Sequence, residues 1–472
     1  MASKTIKKPY VEFVGMSANN VTGSAYLIKF KEYQILVDYG LYQSNNLIED
    51  YKINKDRHKS IKPKHIDIII LTHVHADHLS KLPELYKNGC KAPLYVPNGT
   101  SNVIKLMLQD SARIMATEAE QLSTKHGIKA SPLYTNDDID IAMSHIIECN
   151  FLECVNVNKD VKFTYYNARH IPNSAQILLE LNDGVNVKKL MFTGDIGSPT
   201  MDKHYLGEFQ PIESADVVVG ECTYSDNKRK HSIKDRPKDV DKLHTVVSYA
   251  IEKKAKVLIP VFSLDRMQMM LTLLYEMYGS NLDIPVIVDS PLSNKINQLW
   301  GDMIESDDEL WYKVINWQNI RVAHEYNDSK YYQDLDEPMI ILSSSGMGNV
   351  GRVVGWIKKL LPKSNNYICF CGFATENSTS GKIKAGKDNT ISIDGKKVSN
   401  KCKVVTLNSF SSHMCYDELM EYYCSINFNK IVLVHSEEKS KFKFAEDLRI
   451  RLSQCDRSSK VVCGTNDMKC YF

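Results

Sequence analysis

Residues 73–78 read His-Val-His-Ala-Asp-His, a dense group of side chains that can bind metal. In an extended segment, residues two apart point the same way, so His73 and His75 can bind one ion. We expect Asp77 and His78 to begin the next helix, whose first turn can direct them toward an adjacent ion. Imidazole and carboxylate ligands suit zinc, and open coordination positions are typical of catalytic sites. The alternative, a polar loop with incidental histidines, is the weaker interpretation.

Several apolar runs of the sequence end on a residue that can bind metal or move a proton. These residues are His73, His170, Asp195, Glu221 and His435. The carboxyl ends of strands in such sheets gather along one edge, where ligands bind. A lone histidine at a strand end is more often structural, and a lone Asp is usually a turn former. Five such endings in one chain favour a shared site.

The hydrophobic pattern changes along the chain and predicts two kinds of domain. The first 200 or so residues alternate short apolar runs with turns. From about Tyr205, strands alternate with helices, as in the predicted strand Lys256–Pro260 and helix Leu264–Tyr278. Such repeated units imply a parallel sheet with helices on both faces. We expect a loop at Ser378–Asn400, and the length of 472 residues also favours two domains.

Composition sets broad limits on the class of protein. Hydrophobic residues make up 43% and charged residues 25%, which is ordinary for a globular chain. The net charge of +2 neither indicates nor excludes a nucleic-acid partner. The sequence has no secretory signal and no apolar run of the ~20 residues that span a membrane, so we expect a cytoplasmic protein without a membrane partner. The 12 cysteines lack C-x-x-C pairs, and we expect reduced thiols, with Cys369 and Cys371 packed in the core.

The His73–His78 segment matches the H-x-H-x-D-H signature of the metallo-β-lactamase superfamily, which the chain resembles. LVDYG at Leu36–Gly40, NARHIPNSA at Asn167–Ala175 and FTGDIG at Phe192–Gly197 are similar to its other motifs, in the same order. The resemblance implies an αββα sandwich and two zinc ions. It implies that His73, His75 and His170 hold one zinc, that Asp77, His78 and His435 hold the other, and that Asp195 bridges them. Asp38 would lie behind the ligands and orient their loop.

The rest of the chain resembles the β-CASP branch of that superfamily, which includes the polyadenylation-factor endonuclease and smaller bacterial and archaeal RNA-processing enzymes. The matching segments, in order, are ECTYSD, LIPVFSLDRMQ, VDSPL, LSSSGM, SFSSH and VLVH. Glu221, His413 and His435 occupy the three positions particular to the branch. DNA-directed members typically carry Val at the last of these, so His435 favours RNA. Four residues differ from the glycine that relatives often carry, and none replaces a functional residue: Asn173, Asp265, Ser409 and Ser436.

The resemblance implies an α/β fold, an αββα metallo-β-lactamase sandwich with an inserted β-CASP domain whose parallel sheet is flanked by helices. We expect the first domain at residues 1–208 and 387–472, and the inserted one at residues 209–386. This arrangement looks like the minimal two-domain form of the family.

The activity that we expect is zinc-dependent hydrolysis of phosphodiester bonds in single-stranded RNA, by endonuclease or 5′-3′ exonuclease cleavage. Two metal ions about 3.5–4 Å apart can hold a hydroxide at neutral pH and polarise the phosphate oxygens. His413 would then be the general acid for the departing oxygen, oriented by Glu221. Asp77 counts among the catalytic residues as well as the ligands.

Two further segments are candidates for contact with RNA. Leu342–Arg352 joins a strand to a helix, and such a junction can bind phosphate through backbone N–H groups. This makes Ser344, Ser345 and Arg352 candidate substrate-binding residues, although Gly-rich loops are often simple turns. The basic run at Asn227–Lys238 follows Glu221 and could steer RNA, although such runs are usually solvated loops.

Other functions compete with this hypothesis. A small-molecule hydrolase is disfavoured because the inserted domain adds a wall suited to a polymer. A DNA-directed enzyme and a non-catalytic scaffold subunit remain alternatives; loss of ligands would mark the scaffold, and none is lost. The partners that we expect are single-stranded RNA and either a homodimer or an RNA-processing complex.

Overall fold

The computed structural model describes residues 8–44, 46–200, 204–226, 235–304, 309–372 and 374–472. The chain forms two compact units. Unit 1 contains residues 1–230 and 413–472, and unit 2 contains residues 231–412. None of the helices in the described ranges combines the length and apolar character needed to cross a bilayer.

The strands are numbered in chain order. They are β1 (Tyr10–Phe13), β2 (Tyr26–Phe30), β3 (Tyr33–Val37), β4 (Ile68–Ile70), β5 (Leu94–Pro97), β6 (Ile146–Cys149), β7 (Cys154–Asn156), β8 (Val161–Asn167), β9 (Ala175–Asn182), β10 (Val187–Phe192), β11 (Ser214–Glu221), β12 (Lys256–Pro260), β13 (Val286–Asp289), β14 (Ile320–Val322), β15 (Met339–Ser343), β16 (Tyr367–Phe370), β17 (Thr390–Ile393), β18 (Lys396–Ser399), β19 (Lys403–Thr406), β20 (Asn427–Val434), β21 (Lys460–Cys463) and β22 (Lys469–Tyr471).

The α-helices are numbered in the same way. They are α1 (Leu47–Lys55), α2 (Ala76–Leu79), α3 (Leu82–Lys87), α4 (Ser101–His126), α5 (Asn136–Met143), α6 (Arg236–Lys253), α7 (Arg266–Tyr278), α8 (Pro291–Met303), α9 (Glu309–Ile315), α10 (Tyr326–Asp334), α11 (Val353–Leu360), α12 (Thr379–Ala385), α13 (Tyr416–Ser425) and α14 (Glu438–Ser453).

Unit 1 is a sandwich of two seven-stranded sheets. Their strand orders are β22-β1-β2-β3-β4-β5-β6 and β21-β20-β11-β10-β9-β8-β7. The core between them contains Phe13 and Ile70 from the first sheet and Phe163 and Val217 from the second. On the outer face of the second sheet, α13 and α14 contribute aromatic side chains such as Phe444 to another buried cluster. The predicted αββα class is therefore confirmed.

Unit 2 contains a parallel six-stranded sheet, in the order β14-β13-β15-β12-β16-β19. All five residues of β12 are buried, as expected for a strand that is covered on both faces. On one face α11 buries Trp356 and Ile357 against β12 and β15 residues such as Leu258 and Ile341. The alternation of strands and helices in the sequence thus predicted this sheet correctly.

The segment Ser378–Asn400 differs from the predicted loop. It forms α12 and the hairpin of β17 and β18. Asp394 and Gly395 both have positive φ, +48° and +74°, which is the conformation of a two-residue hairpin turn. Asp-Gly is a strong sequence signal for such a turn, and the abundance of lysine around it hid the two short strands.

The position of β19 bears on the domain boundaries. This strand lies after residue 387, where we expected the first domain to resume, yet it pairs with β16 of the unit 2 sheet. The compact unit begins 22 residues after the predicted boundary at 209 and ends 26 residues after the one at 386. The first residue of the chain to return to unit 1 is His413.

Candidate metal centre and catalytic site

The chemistry-bearing residues of unit 1 follow the carboxyl ends of three neighbouring parallel strands. In the second sheet β11 lies between β10 and β20 and runs parallel to both. Asp195 follows β10, Glu221 ends β11, and His435 follows β20 directly. From the facing sheet, β4 leads into the segment that contains His73. The sandwich therefore gathers these strand ends at one edge, as the sequence pattern predicted.

The first group of ligands contains three histidines and one carboxylate. Nδ1 of His75 lies 3.2 Å from Nε2 of His73 and 3.3 Å from Nε2 of His170. Oδ2 of Asp195 lies 3.7 Å from Nε2 of His73 and 3.6 Å from Nε2 of His170. These four donor atoms could hold one metal ion.

The second group contains Asp77, His78 and His435. Oδ2 of Asp77 lies 3.3 Å from Nε2 of His435 and 3.9 Å from Nε2 of His78. The same His78 nitrogen is 3.5 Å from Oδ1 of Asp195. Asp195 thus turns one carboxylate oxygen toward each group, which is the arrangement expected of a bridging ligand.

Both groups have the donor set and spacing of a zinc site. With zinc–nitrogen bonds of about 2.0–2.1 Å, tetrahedral ligands are about 3.4 Å apart, close to the separations found here. Oδ1 of Asp195 is buried and has no hydrogen-bond partner among the described residues. The imidazole nitrogens of His78 and His435 that face this oxygen are both 3.5 Å away, and a cation between the groups would satisfy it.

Asp38 holds the ligand segment from behind, as the resemblance implied. It is fully buried, and its carboxylate accepts hydrogen bonds from the backbone N–H and the hydroxyl of Thr72, both at 2.8 Å. It also lies 2.8 Å from Nδ1 of His78, which leaves Nε2 to face the metal. Sequence reasoning missed Thr72, although a threonine directly before His73 is a recognisable signal.

The charges of the site divide its histidines into two kinds. Burial lowers the pKa of His73 and of His170 well below the usual value, so both are neutral near pH 7. Burial would also lower the pKa of His78, but Asp195 and Asp38 together raise it well above the usual value.

The two carboxylates that face the second group carry the matching negative charge. Burial would raise the pKa of Asp195, but His435 and His78 bring it well below the usual range. Burial acts in the same direction on Asp77, where the hydrogen bond to His435 helps to lower the pKa. In return, Asp195 and Asp77 raise the pKa of His435 against the effect of burial.

His413 and Glu221 form a pair next to these ligands. Nδ1 of His413 lies 2.9 Å from Oε1 of Glu221, and its ring centroid is 4.4 Å from that of His170. Glu221 is itself fixed, because its carboxylate accepts hydrogen bonds from the backbone N–H groups of Ile196, at 3.1 Å, and Thr223, at 2.8 Å. His413 precedes α13 by three residues and lies in the loop that leads into this helix.

Thr223 is a second residue that sequence reasoning missed. Its hydroxyl lies 3.0 Å from Nδ1 of His435 and so orients this imidazole, while its backbone N–H holds Glu221. The available signal was its position in the sequence, two residues after Glu221 at the end of β11.

The candidate substrate residues lie in unit 2. Arg352 donates to the buried Asp289 at 2.8 Å and to the carbonyl oxygens of Ala323 and His324. Ser344 donates to Ser290 at 2.7 Å.

Ser345 is partly buried, like the other two candidates. It is 3.4 Å from the carbonyl oxygen of Val350. In the basic run at 227–238, residues 227–234 lie outside the described residues.

Comparison with protein families agrees with this architecture. Residues 18–133 match the model of the metallo-beta-lactamase superfamily, and residues 267–383 match that of the Beta-Casp domain. Residues 397–455 match the "Zn-dependent metallo-hydrolase RNA specificity domain". The chain therefore contains a metallo-β-lactamase domain and a β-CASP domain. These models cover both units and confirm the predicted resemblance.

Individual relatives are similar over nearly the whole chain. Ribonuclease TTHA0252 of Thermus thermophilus is 26% identical over 92% of this chain and 95% of its own length. Transcription termination factor FttA of Methanocaldococcus jannaschii is also 26% identical, over 93% of this chain and 68% of its own. Endoribonuclease YSH1 of Candida glabrata is 24% identical over 96% of this chain but only 58% of its own.

One solved structure supports the fold alone. A protein of unknown function from Enterococcus faecalis aligns with a TM-score of 0.52 at 10% identity, over 98% of this chain and all of its own.

Proposed function

We propose that this β-CASP protein is a zinc-dependent ribonuclease that hydrolyses phosphodiester bonds in single-stranded RNA. The names of the relatives and the match to an RNA specificity domain support the substrate class. The observation that carries the proposal is the completeness of the site: both ligand groups lie in unit 1 with the His413–Glu221 pair beside them. We propose two zinc ions, with Asp195 as the shared ligand.

The roles of the side chains follow from their contacts. When bound, the zinc ions would lower the pKa of water and neutralise charge on the phosphate. Nδ1 of His413 is directed at Glu221, so Nε2 is the atom that can donate a proton to the departing oxygen. Glu221 is held by two backbone N–H groups and therefore fixes the direction of that proton donor.

A scaffold subunit without activity is the main alternative from another functional class. Such a protein would have no reason to keep the general-acid pair in bonding geometry, so the 2.9 Å contact between His413 and Glu221 favours the enzyme. For assembly, we keep both a homodimer and an RNA-processing complex as proposals.

The decisive experiment incubates zinc-loaded protein with single-stranded RNA labelled at either end and follows product sizes over time. We expect cleavage of RNA, slower cleavage of matched DNA, and poor cleavage of duplex RNA. Internal products at early times would indicate endonuclease cleavage, and mononucleotides from the 5′ end would indicate exonuclease cleavage. Binding should weaken with salt, because phosphate contacts release counterions. Zinc-loaded wild type that leaves RNA intact, while the Asp195→Asn control behaves identically, would contradict the proposal.

A further inference from the structure

Lys441 is a charged residue on the buried face of helix α14, where an apolar residue would be expected. The buried face of this helix contains Phe444, Ala445, Leu448 and Leu452, and Lys441 continues the same stripe one turn earlier. Its side chain is fully buried. Lysine is almost never fully buried unless its ammonium group is bonded, so its partners should reveal its role.

The Lys441 ammonium group joins two segments that are far apart in sequence. It donates one hydrogen bond to the carbonyl oxygen of Ala18 and another, at 2.7 Å, to that of Gly464. Ala18 ends a short 3-10 turn, Met16–Ala18, and Gly464 directly follows β21. Both partners are backbone atoms, so the lysine fixes the course of the chain in both segments.

Each of these segments is bonded to the backbone around His435. The backbone N–H of His435 donates to the carbonyl oxygen of Ser17, at 2.7 Å. The backbone N–H of Gly464 donates to the carbonyl oxygen of Leu433, at 2.8 Å, two residues before His435. His435 has a φ of +53°, in the left-handed region that is unfavourable for a residue with a side chain. Its conformation therefore depends on support from its surroundings.

We propose that Lys441 is a positioning residue for His435, and through it sets the affinity of the Asp77–His78–His435 group for metal. The inference rests on the zinc sites proposed above. Loss of the ammonium group releases the Met16–Ala18 turn and the Gly464 segment, and with them the imidazole of His435. The bonds from the two segments lead to the backbone at Leu433 and His435, and His435 belongs to the second group. We therefore expect the affinity of the His73–His75–His170 group to change little.

The test measures zinc binding rather than activity. Zinc is titrated into the metal-free full-length protein against a chromogenic chelator, which resolves a tight and a weak site. In Lys441→Met we expect the affinity of one site to fall by about 10–100-fold, the usual effect of altering a residue that supports a ligand. Lys443→Met is the matched control, because Lys443 is exposed on the same helix, and should bind zinc like the wild type.

The outcomes separate positioning from general stabilisation. A second variant, Lys441→Gln, keeps one donor and should give an intermediate loss. Equal weakening of both sites, unchanged binding in Lys441→Met, or failure of both variants to fold would overturn the inference. Wild-type protein that binds no zinc would instead contradict the proposed function.

Discussion

Nδ1 of His413 lies 2.9 Å from Oε1 of Glu221, so the proton on this side of the ring is committed to the carboxylate. The opposite nitrogen is the one that can meet a substrate. Asp195, Glu221 and His413 also lie close enough together to hold a metal ion, so the proposal that His413 is a proton donor and not a ligand needs a direct test.

His413→Ala should keep both zinc ions while RNA cleavage slows by ~10²–10⁴, the usual contribution of a general acid. A phosphodiester with a nitrophenol leaving group should lose much less activity, because this group departs readily as an anion. Glu221→Gln should show the same pattern more weakly. His126→Ala, at an exposed position of α4, is the control. Parallel losses on both substrates, or loss of zinc, would make His413 a ligand or scaffold residue.

Asp195→Asn should disturb both metal sites, whereas His435→Ala should weaken mainly one. The two oxygens of Asp195 face different ligand groups, whereas His435 contacts Asp77 and the one Asp195 oxygen that faces the second group. Elemental analysis after dialysis should find about two zinc ions in the wild type, and a loss from both sites in the first variant. If Asp195→Asn lost a single ion, the proposed bridge would be wrong.

The two sites should respond differently to pH. At neutral pH a metal must displace protons from His78 and His435, whose pKa values are raised, but not from His73 and His170, whose pKa values are lowered. Zinc affinity should therefore rise with pH at the second site, because metal binding releases its protons, and should change much less at the first.

Competition titrations at about pH 6.5 and about pH 8, a range over which histidine titrates, would measure the two slopes. The steeper slope should disappear in His435→Ala. Equal slopes in the wild type would contradict the assignment of the protonated histidines to the second group.

The main effect of Arg352→Met should be a loss of stability in unit 2 rather than a loss of RNA binding. The arginine pairs with Asp289, which is fully buried, and removing one member of a buried pair costs about 3–5 kcal/mol because the other charge loses its counter-ion. Asp289 keeps hydrogen bonds from Ser329 and Trp356, so we expect a loss at the lower end of this range. Thermal unfolding would measure the loss, with Arg321→Met, at an exposed position, as the control. A stable Arg352→Met variant with weakened RNA binding would show instead that the guanidinium is available to RNA.

The sequence predicted which candidate ligands the fold brings together, because their types and spacing are tied to strand ends. Positions where the backbone adopts the left-handed conformation were harder to recognise in the sequence than the candidate ligands. Asn173 has a φ of +58°, which explains why relatives often carry glycine there and why asparagine is an acceptable substitute. Asn173 shares with glycine the ability to adopt a left-handed backbone conformation. Neither the composition nor the periodicity of the sequence reveals where that conformation is needed.

The sequence pattern could not reveal side-chain contacts between residues that are far apart in the chain. Lys441 looks like one of several lysines in a polar helix until its bonds to Ala18 and Gly464 are known. Arg352 stays a candidate for phosphate contact, but nothing in the local sequence showed its pairing with Asp289. Both partners are set by tertiary packing, which only the folded chain defines.

The sequence order of the ligands has a consequence for synthesis. The inserted unit lies between β11 and β20 in the chain, and the last ligand, His435, is the 435th of 472 residues. A polypeptide still emerging from the ribosome can assemble the three histidines of the first group but lacks the imidazole that completes the second. The growing chain therefore cannot complete the second ligand group until the whole inserted unit has been synthesised and β20 has followed it.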